Sequence, residues 1–348
     1  MNKFVFTTGA LALTLLAGKS LAWDYDGHRL VNQLALASLP TNFPAFVADA
    51  AAKERIAFLA GEPDRWRNTP DLSLKHCNAP DHYLDIDDLP VHGLEPASLS
   101  PFRYEFTAQI LAARAAHADK FPPIDPAKDA DRTKALVGFL PWTITEQYAK
   151  LKSAFSYLKA LEAEGTPEEV GNAHQNIIYL MGVMGHFVGD GAQPLHTTKH
   201  FNGWVGDNPR GYTTNKTFHA WIDGGYVQRS GLKREDLFSK VRPARLVSSV
   251  ESQGIHTNVF PVVMTYLLDQ FKLVGPLYEL EKEGKLSSTG EVSRSGHDFI
   301  AAQMVKGGQM LGDLWLTAWH YAPPDIYLKA QLAKRKLAQE KALEPAKP

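Results

Sequence analysis

The residue types best suited to chemistry are histidines and aspartates that recur at a fixed spacing. His186 and Asp190 stand four residues apart in the segment HFVGDGAQPLH, which ends with His196. His219 and Asp223 repeat this spacing in FHAWID. On a helix, side chains four residues apart lie on one face, one turn from each other. Each pair therefore offers one nitrogen and one oxygen ligand to a metal ion.

A single pair has a plainer interpretation, because a buried histidine often forms a hydrogen bond with an aspartate. Two such pairs so close in the chain favour metal binding. Further candidates upstream are Trp23, His28, Asp64 in GEPDRW and His82 in DHYLDIDD. Imidazole and carboxylate ligands without cysteine are typical of zinc. Calcium is the alternative for the acidic run at 81–88, but this run lacks the Gly and terminal Glu of a calcium-binding loop.

The pattern of apolar residues predicts that helices position these side chains. Apolar residues recur at helical spacing in several stretches, and sustained alternation is hard to find. Thr166 fits an N-cap, Pro167 fits the first helical position and Glu169 completes a capping box. The helix that begins there is apolar around most of its circumference as it approaches His186, which predicts that it lies in the core.

The remaining segments complete a helical domain. We predict helices over Ser153–Glu164 and from Asp298 to about His320, with loops at 122–132 and 197–217. The fold class is therefore predicted to be all-α, with a single mostly helical domain over residues 23–327. Residues 328–348, rich in Lys and Ala, are predicted to be a tail that forms a solvated helix or is disordered.

The first 22 residues have the features of a secretory signal. Lys3 precedes an apolar run, and Ser20-Leu21-Ala22 fits a cleavage site, which would leave Trp23 first and place the protein outside the cell or in the periplasm. An uncleaved membrane anchor is the alternative, although the run is short for a bilayer. The lone Cys77 cannot close an internal disulfide. A formal net charge of −1 excludes a broad basic field for nucleic acid.

Together these motifs resemble the superfamily of trinuclear-zinc single-strand nucleases and zinc-dependent phospholipases C, in a bacterial form with few cysteines. The resemblance rests on the order of an N-terminal Trp with a nearby His, an Asp, a His-aromatic-x-Asp, HFVGD-x-x-QPLH and H-x-x-W-x-D. It spans most of the mature chain. The resemblance implies the fold predicted above and three zinc ions.

Ligand roles follow from the resemblance alone. One zinc would be held by Asp64, His82, His186 and Asp190, a second by Trp23 and His28 with Asp190 as the bridge, and a third by His196, His219 and Asp223. Asp87 would orient the nucleophilic water, with a solvated loop carboxylate as its alternative role. Tyr83 would stack on a substrate base, unless it is an ordinary half-buried core aromatic.

The implied reaction is phosphodiester hydrolysis through a zinc-bridging hydroxide. The first expectation is an endonuclease and 3′-nucleotidase that cuts single-stranded RNA or DNA to 5′-phosphate products. Two departures favour a phospholipase C acting on phospholipid head groups: the loop GWVGDNPRGYTTNKT, and Gly224 where nucleases carry a base-reading Asn. A zinc-binding protein without catalysis is a third possibility. We expect a monomer without a stable protein partner.

Overall fold

The computed structural model describes residues 25–247, 250–252 and 255–343, and the described chain is mostly helical. The helices are α1 (Tyr25–Ser38), α2 (Ala45–Ala48), α3 (Ala50–Leu59), α4 (Glu62–Arg67), α5 (Leu72–Asn78), α6 (Arg103–Ala116), α7 (Leu140–Glu164), α8 (Pro167–Ala192), α9 (Phe218–Ala220), α10 (Tyr226–Ser230), α11 (Arg234–Phe238), α12 (Phe260–Phe271), α13 (Val274–Lys282), α14 (Arg294–His320) and α15 (Ile326–Leu343). Short 3₁₀ helices at Ala79–His82, Ile86–His92, Pro96–Ser98, Ala118–Lys120, Pro126–Lys128 and Pro194–Thr197, and a π-helical turn at Trp221–Gly225, connect them. The predicted all-α class is confirmed.

Two short strands are the exception to the helical architecture. The strands β1 (Val250–Ser252) and β2 (Ile255–Asn258) pair antiparallel just before α12. They form a two-stranded ribbon, and a ribbon of this size contributes no sheet to the core.

Helix α8 forms the centre of the core and packs against α1, α3, α7 and α14. It begins as predicted: the Thr166 hydroxyl accepts from the backbone N–H of Glu169, and the Glu169 carboxylate accepts from the backbone N–H of Thr166. This capping box satisfies two backbone groups that a helix start leaves without partners. From Met181 to Ala192 every residue is buried.

Close packing against α8 depends on a glycine. A Cβ on Gly185 would overlap the side-chain amide of Asn32 in α1. That amide is held in place, because its nitrogen donates to the carbonyl oxygens of Ile56 at 2.8 Å and Gly182 at 3.1 Å. Asn32 therefore ties α1, α3 and α8 together. The close approach explains the glycines that lower helix propensity in this part of the sequence.

Other helices begin or end at positions that differ from those predicted from the sequence. Helix α7 begins at Leu140, well before Ser153, because Pro141 is tolerated in a first helical turn and the residues after it bury apolar side chains. Segments 122–132 and 197–217 are mainly loops. The predicted tail is largely α15, which crosses the boundary at 327 and is anchored by an ion pair between Arg335 and Glu169 at 2.6 Å.

None of the described helices combines the length and the apolar character that crossing a bilayer requires. The predicted signal segment, residues 1–22, and the cleavage site before Trp23 lie outside the described residues.

Candidate metal centre

Several elements deliver histidine and aspartate side chains to one buried region beside the last turns of α8. His186 and Asp190 come from α8 itself, His28 from α1, Asp64 from α4, His82 from the 3₁₀ helix before the acidic run, His196 from the 3₁₀ helix after α8, and His219 and Asp223 from α9 and the π-helical turn. The structure thus brings together all eight of the predicted side-chain ligands. Trp23, the ninth predicted ligand, lies outside the described residues.

Asp190 occupies the middle of this cluster. Its Oδ2 lies 2.9 Å from Nδ1 of His82 and 3.3 Å from Nε2 of His186. Its Oδ1 lies 3.5 Å from Nε2 of His28 and 3.7 Å from Nδ1 of His196. A buried carboxylate surrounded by four imidazoles has the placement that a ligand shared by neighbouring ions requires.

A second set of ligands forms the outer part of the cluster. Nε2 of His219 lies 2.8 Å from Oδ2 of Asp223 and 3.1 Å from Nε2 of His196. The other oxygen of Asp223 accepts a hydrogen bond from the buried side-chain amide of Gln193. Gln193 belongs to the QPLH motif, so the sequence contained this supporting residue without revealing its role.

Backbone carbonyls fix the orientation of two of the rings. Nδ1 of His186 lies 2.7 Å from the carbonyl oxygen of Ala60, and Nδ1 of His196 lies 2.5 Å from that of His82. A carbonyl only accepts, so each Nδ1 donates and each Nε2 presents a lone pair to the cluster. This is the arrangement of metal-binding histidines, whose other nitrogen donates to a supporting group.

The donor atoms fit divalent metal ions. Three groups have ligand atoms within 4.8 Å of one another: His28 with His186 and Asp190, Asp64 with His82 and His186, and His196 with His219 and Asp223. Within the described residues, the buried Nε2 of His82 and Oδ1 of Asp190 have no hydrogen-bond partner. Buried polar atoms without partners are costly, and cations at these positions would satisfy them.

The electrostatics of the cluster favour the metal-binding protonation state at some ligands and oppose it at others. Burial lowers the pKa of His186, but the charges of nearby carboxylates outweigh it and raise that pKa. Burial lowers the pKa of His82 well below its usual value, and the charge of Arg67 lowers it further. Burial alone would raise the pKa of Asp190, but the charges of His186 and His196 outweigh it and hold the pKa well below its ordinary value. Neutral imidazole and ionised carboxylate are the metal-binding forms.

The cluster opens on one side to a cleft of about 500 Å³. Most ligand side chains are at most 3% exposed, whereas that of His219 is 18% exposed, so the outer group faces solvent. The lining includes His196, His219, Asp85, Tyr83 and Phe201, the cations Arg67, Lys75 and Lys134, and the amides Asn68 and Asn202. The cleft therefore combines positive charge with aromatic surface beside the candidate metal groups.

The carboxylate of Asp87 is engaged elsewhere. The Thr198 hydroxyl donates to its Oδ2 at 2.6 Å, the backbone N–H of Lys199 donates to its Oδ1 at 3.0 Å, and Nε2 of His200 lies 3.5 Å from Oδ2. Asp87 does not line the cleft, whereas Asp85 does. The water-orienting role stays a prediction for Asp87, and Asp85, the last residue of the His-aromatic-x-Asp motif, becomes a second candidate for it.

Tyr83 lines the cleft, as its predicted role in stacking on a base requires. Burial raises the pKa of its hydroxyl, so the group is a neutral donor. Its backbone is packed against Gly138, where a Cβ would meet the Tyr83 carbonyl and where φ is 97°. Only glycine adopts that conformation without strain. Stacking on a base stays a prediction.

Comparisons with known proteins provide little beyond this geometry. No protein-family model matches the chain, and no curated protein matches its sequence. Among solved structures, the chain is similar to the crystal structure of alpha-toxin from an avian strain of Clostridium perfringens, with 15% identity and a TM-score of 0.37. The match covers 85% of this chain and 64% of the toxin chain, so the chain spans less than two thirds of that protein. The functional argument therefore rests on the side chains of the cluster.

Proposed function

We propose that the protein is a zinc-dependent hydrolase of phosphate esters. The observation that carries this proposal is the convergence of eight buried or half-buried His and Asp side chains on one end of a cation-lined cleft. Ligands of this type, with the outer group open to solvent, are typical of catalytic rather than structural zinc sites. A purely structural role would require neither the open face nor the lining of Arg and Lys.

Three zinc ions are proposed, one for each group of converging ligands. The first would use Asp64, His82 and His186, the second His28 with Trp23, and the third His196, His219 and Asp223, with Asp190 shared between the first two. Zinc in such a site lowers the pKa of water and stabilises the negative charge that develops on a phosphoryl group.

The chain's own residues would bind the substrate and orient the attacking water. Arg67, Lys75 and Lys134 line the cleft. Arg67 and Lys75 already pair with carboxylates, at 2.7 and 3.8 Å, so Lys134, which forms no ion pair with a described carboxylate, is the cation available to a phosphate. Arg67 also lies 2.7 Å from Asp64, so it links the cleft lining to the ligand set. Asp85 lines the same cleft, and we assign to it the orientation of the attacking water. Burial raises the pKa of this carboxyl well above its ordinary value, and the charge of bound cations would oppose that shift.

Two substrate classes fit this chemistry. An endonuclease and 3′-nucleotidase is supported by Tyr83 and Phe201, which offer aromatic surface for bases in the same cleft as the cations. A phospholipase C is supported by Gly224, which follows the ligand Asp223 and has no side chain with which to read a base. The metal cluster serves either class equally well, since single-stranded nucleic acids and phospholipids are both phosphodiesters.

Export is also proposed, on the sequence of residues 1–22, with the mature chain starting at Trp23 and acting as a monomer in the periplasm or outside the cell. A free α-amino group at Trp23 could then bind metal.

The test is a substrate panel with the mature protein. Single-stranded DNA, RNA, 3′-AMP and phosphatidylcholine would be offered with zinc and with a chelator. We expect zinc-dependent release of 5′-phosphate products from nucleic acid, and loss of that activity in His219→Ala. His297→Ala, in α14 and outside the cleft, is the matched control. Cleavage of phosphatidylcholine alone would replace the nuclease assignment with phospholipase C, and no cleavage of any ester would contradict the proposed function.

A further inference from the structure

A second cleft adjoins the one that opens on the metal cluster. It has a volume of about 540 Å³, and it shares two lining residues, Lys134 and Leu136, with the first cleft. The acidic run links the two as well: Asp85 faces the first cleft and Asp88 faces the second. The two clefts therefore form one continuous surface that begins at the candidate metal centre.

The second cleft is lined by an excess of positive charge. Five cations line it, namely Arg114, Lys120, Lys128, Lys134 and Lys199, against the two carboxylates of Asp88 and Asp125. The chain as a whole carries 37 basic and 38 acidic residues, so this excess is a local concentration. Phosphate groups are the ligands that such a concentration attracts.

Three of these cations have no carboxylate partner among the described residues. Lys199 is paired with Asp88 at 2.7 Å and Lys128 with Asp125 at 3.6 Å. In contrast, no described carboxylate forms an ion pair with Arg114, Lys120 or Lys134. The guanidinium of Arg114 instead lies 4.5 Å from the centre of the Phe121 ring, which also lines the cleft. These three cations are available to an anionic ligand.

The position of Lys199 ties the second cleft to the metal centre. Residues 198–200 begin two positions after the ligand His196, and Asp87 holds them by accepting hydrogen bonds from the Thr198 hydroxyl and the Lys199 N–H. The next residues along, Phe201 and Asn202, return to the first cleft. A ligand that occupies both clefts would therefore cross a short segment whose position is fixed by two hydrogen bonds to Asp87.

The shape and charge of this surface favour a polymer with repeated phosphates. Phosphatidylcholine carries a single phosphate, which would lie at the metal centre, so this lipid has no further anion for the cations of the second cleft. A single-stranded nucleic acid carries a further phosphate at every nucleotide. Aromatic rings in both clefts, Phe201 at 43% exposure and Phe121, offer surfaces on which bases stack.

We propose that the second cleft binds the phosphates of single-stranded nucleic acid that extend beyond the scissile bond. This inference rests on the proposed phosphoester hydrolase and names its substrate as a polynucleotide rather than a mononucleotide or a lipid. The cleft acts as a binding extension: it raises the affinity for long substrates and contributes nothing to the hydrolysis of a diester confined to the first cleft.

The test compares two double variants of the zinc-loaded protein. Arg114→Ala with Lys120→Ala removes two unpaired cations of the second cleft. Lys329→Ala with Lys334→Ala removes two exposed cations of α15 that line neither cleft. For each, KM would be measured for a single-stranded oligodeoxythymidine that spans both clefts and for the small diester bis(p-nitrophenyl) phosphate, at several salt concentrations.

We expect the ratio of the oligonucleotide KM to the small-diester KM to rise about tenfold in the cleft variant, from the loss of charged phosphate contacts. In the cleft variant, the slope of log KM for the oligonucleotide against log salt concentration should also become shallower, by about one unit per lost phosphate contact. The α15 control should keep the wild-type ratio and slope. An unchanged ratio in the cleft variant would overturn the inference, as would a loss of phosphatidylcholine cleavage with oligonucleotide cleavage intact.

A failure of the proposed function gives a different result. If zinc-loaded protein does not hydrolyse the small diester, the hydrolase assignment fails, and the second cleft is then tested by fluorescence anisotropy with the labelled oligonucleotide. Weaker oligonucleotide binding by the cleft variant than by the α15 control would support the nucleic-acid-binding role of the second cleft without the hydrolase assignment. Equal binding by both variants would overturn that role.

Discussion

The Nε2 atom of His186 lies 3.3 Å from the Oδ2 atom of Asp190, and both side chains are fully buried. Nδ1 of the same ring donates to the carbonyl oxygen of Ala60, so Nε2 directs a lone pair at a carboxylate. This arrangement needs a cation, either a second proton on the ring or a metal ion. The other imidazoles around Asp190 make the metal ion the better explanation, since several protonated rings in one dry cluster would repel one another.

The central place of Asp190 predicts unequal effects of two matched substitutions. Asp190→Asn removes a charge that faces four histidines, whereas Asp223→Asn removes one that faces two. We expect Asp190→Asn to weaken zinc binding at least about tenfold and to retain less zinc than Asp223→Asn. Its melting temperature in zinc should fall further too, because metal binding stabilises the fold. Equal zinc content by mass spectrometry would refute the bridging role.

Two carboxylates of the acidic run, Asp85 and Asp87, should have different kinetic effects when each is replaced by Asn. Asp85→Asn should lower kcat for a small phosphodiester about a hundredfold or more with little change in KM, because it removes the group that orients the water. Asp87→Asn should mainly raise KM, because it weakens the hydrogen bonds that hold residues 198–200 in place. Phe201, the next residue, would then shift within the cleft. Steady-state kinetics of both variants with the small phosphodiester measure kcat and KM separately. The opposite pattern would return the water-orienting role to Asp87.

Much of this site follows from the sequence for a physical reason. The spacing of His186 and Asp190 fixes their common face on any helix, and the Thr166 capping box fixes where that helix begins. Local rules of this kind need no knowledge of distant contacts. The full ligand set was instead implied by the family resemblance, and the structure brings all eight side chains together.

The roles of Asp85 and Asp87 could not be separated in the same way. Both lie in one short acidic run, and the choice between them depends on Thr198, more than a hundred residues away, whose hydroxyl engages Asp87. The attachment of the predicted tail could not be foreseen for a similar reason. The contact between Arg335 and Glu169 that anchors α15 is long-range, and composition alone describes the segment as a tail.

The packing of α8 predicts a clear contrast between two glycines of the same helix. Gly185→Ala would force a Cβ into the Asn32 amide, which two hydrogen bonds hold in place. We expect a loss of about 1–3 kcal/mol in the free energy of unfolding. Gly171→Ala meets no atom within 4 Å and should stabilise the protein by up to about 1 kcal/mol. Urea denaturation measures both, and equal stabilities would contradict the packing described for α1 and α8.

The predicted N-terminal ligand has its own test. Helix α1 begins at Tyr25 and carries His28 into the cluster, so a chain that starts at Trp23 has its amino group only two residues from the helix. One extra Ala before Trp23 converts that amine into an amide, a far poorer ligand, and should reduce zinc content and activity together. One extra Ala after Pro348 is the control. Full activity in the N-terminal extension would exclude the amine as a ligand.

If the buried histidines and aspartates hold zinc and this zinc supports phosphoester hydrolysis, metal content and activity must change together. Elemental mass spectrometry counts the metal in the mature protein while the hydrolysis of bis(p-nitrophenyl) phosphate is followed. We expect three zinc ions per chain, loss of hydrolysis on dialysis against a chelator, and its return when zinc is restored. A purified, folded protein that binds no zinc, or that hydrolyses the diester equally well in chelator, would contradict the account.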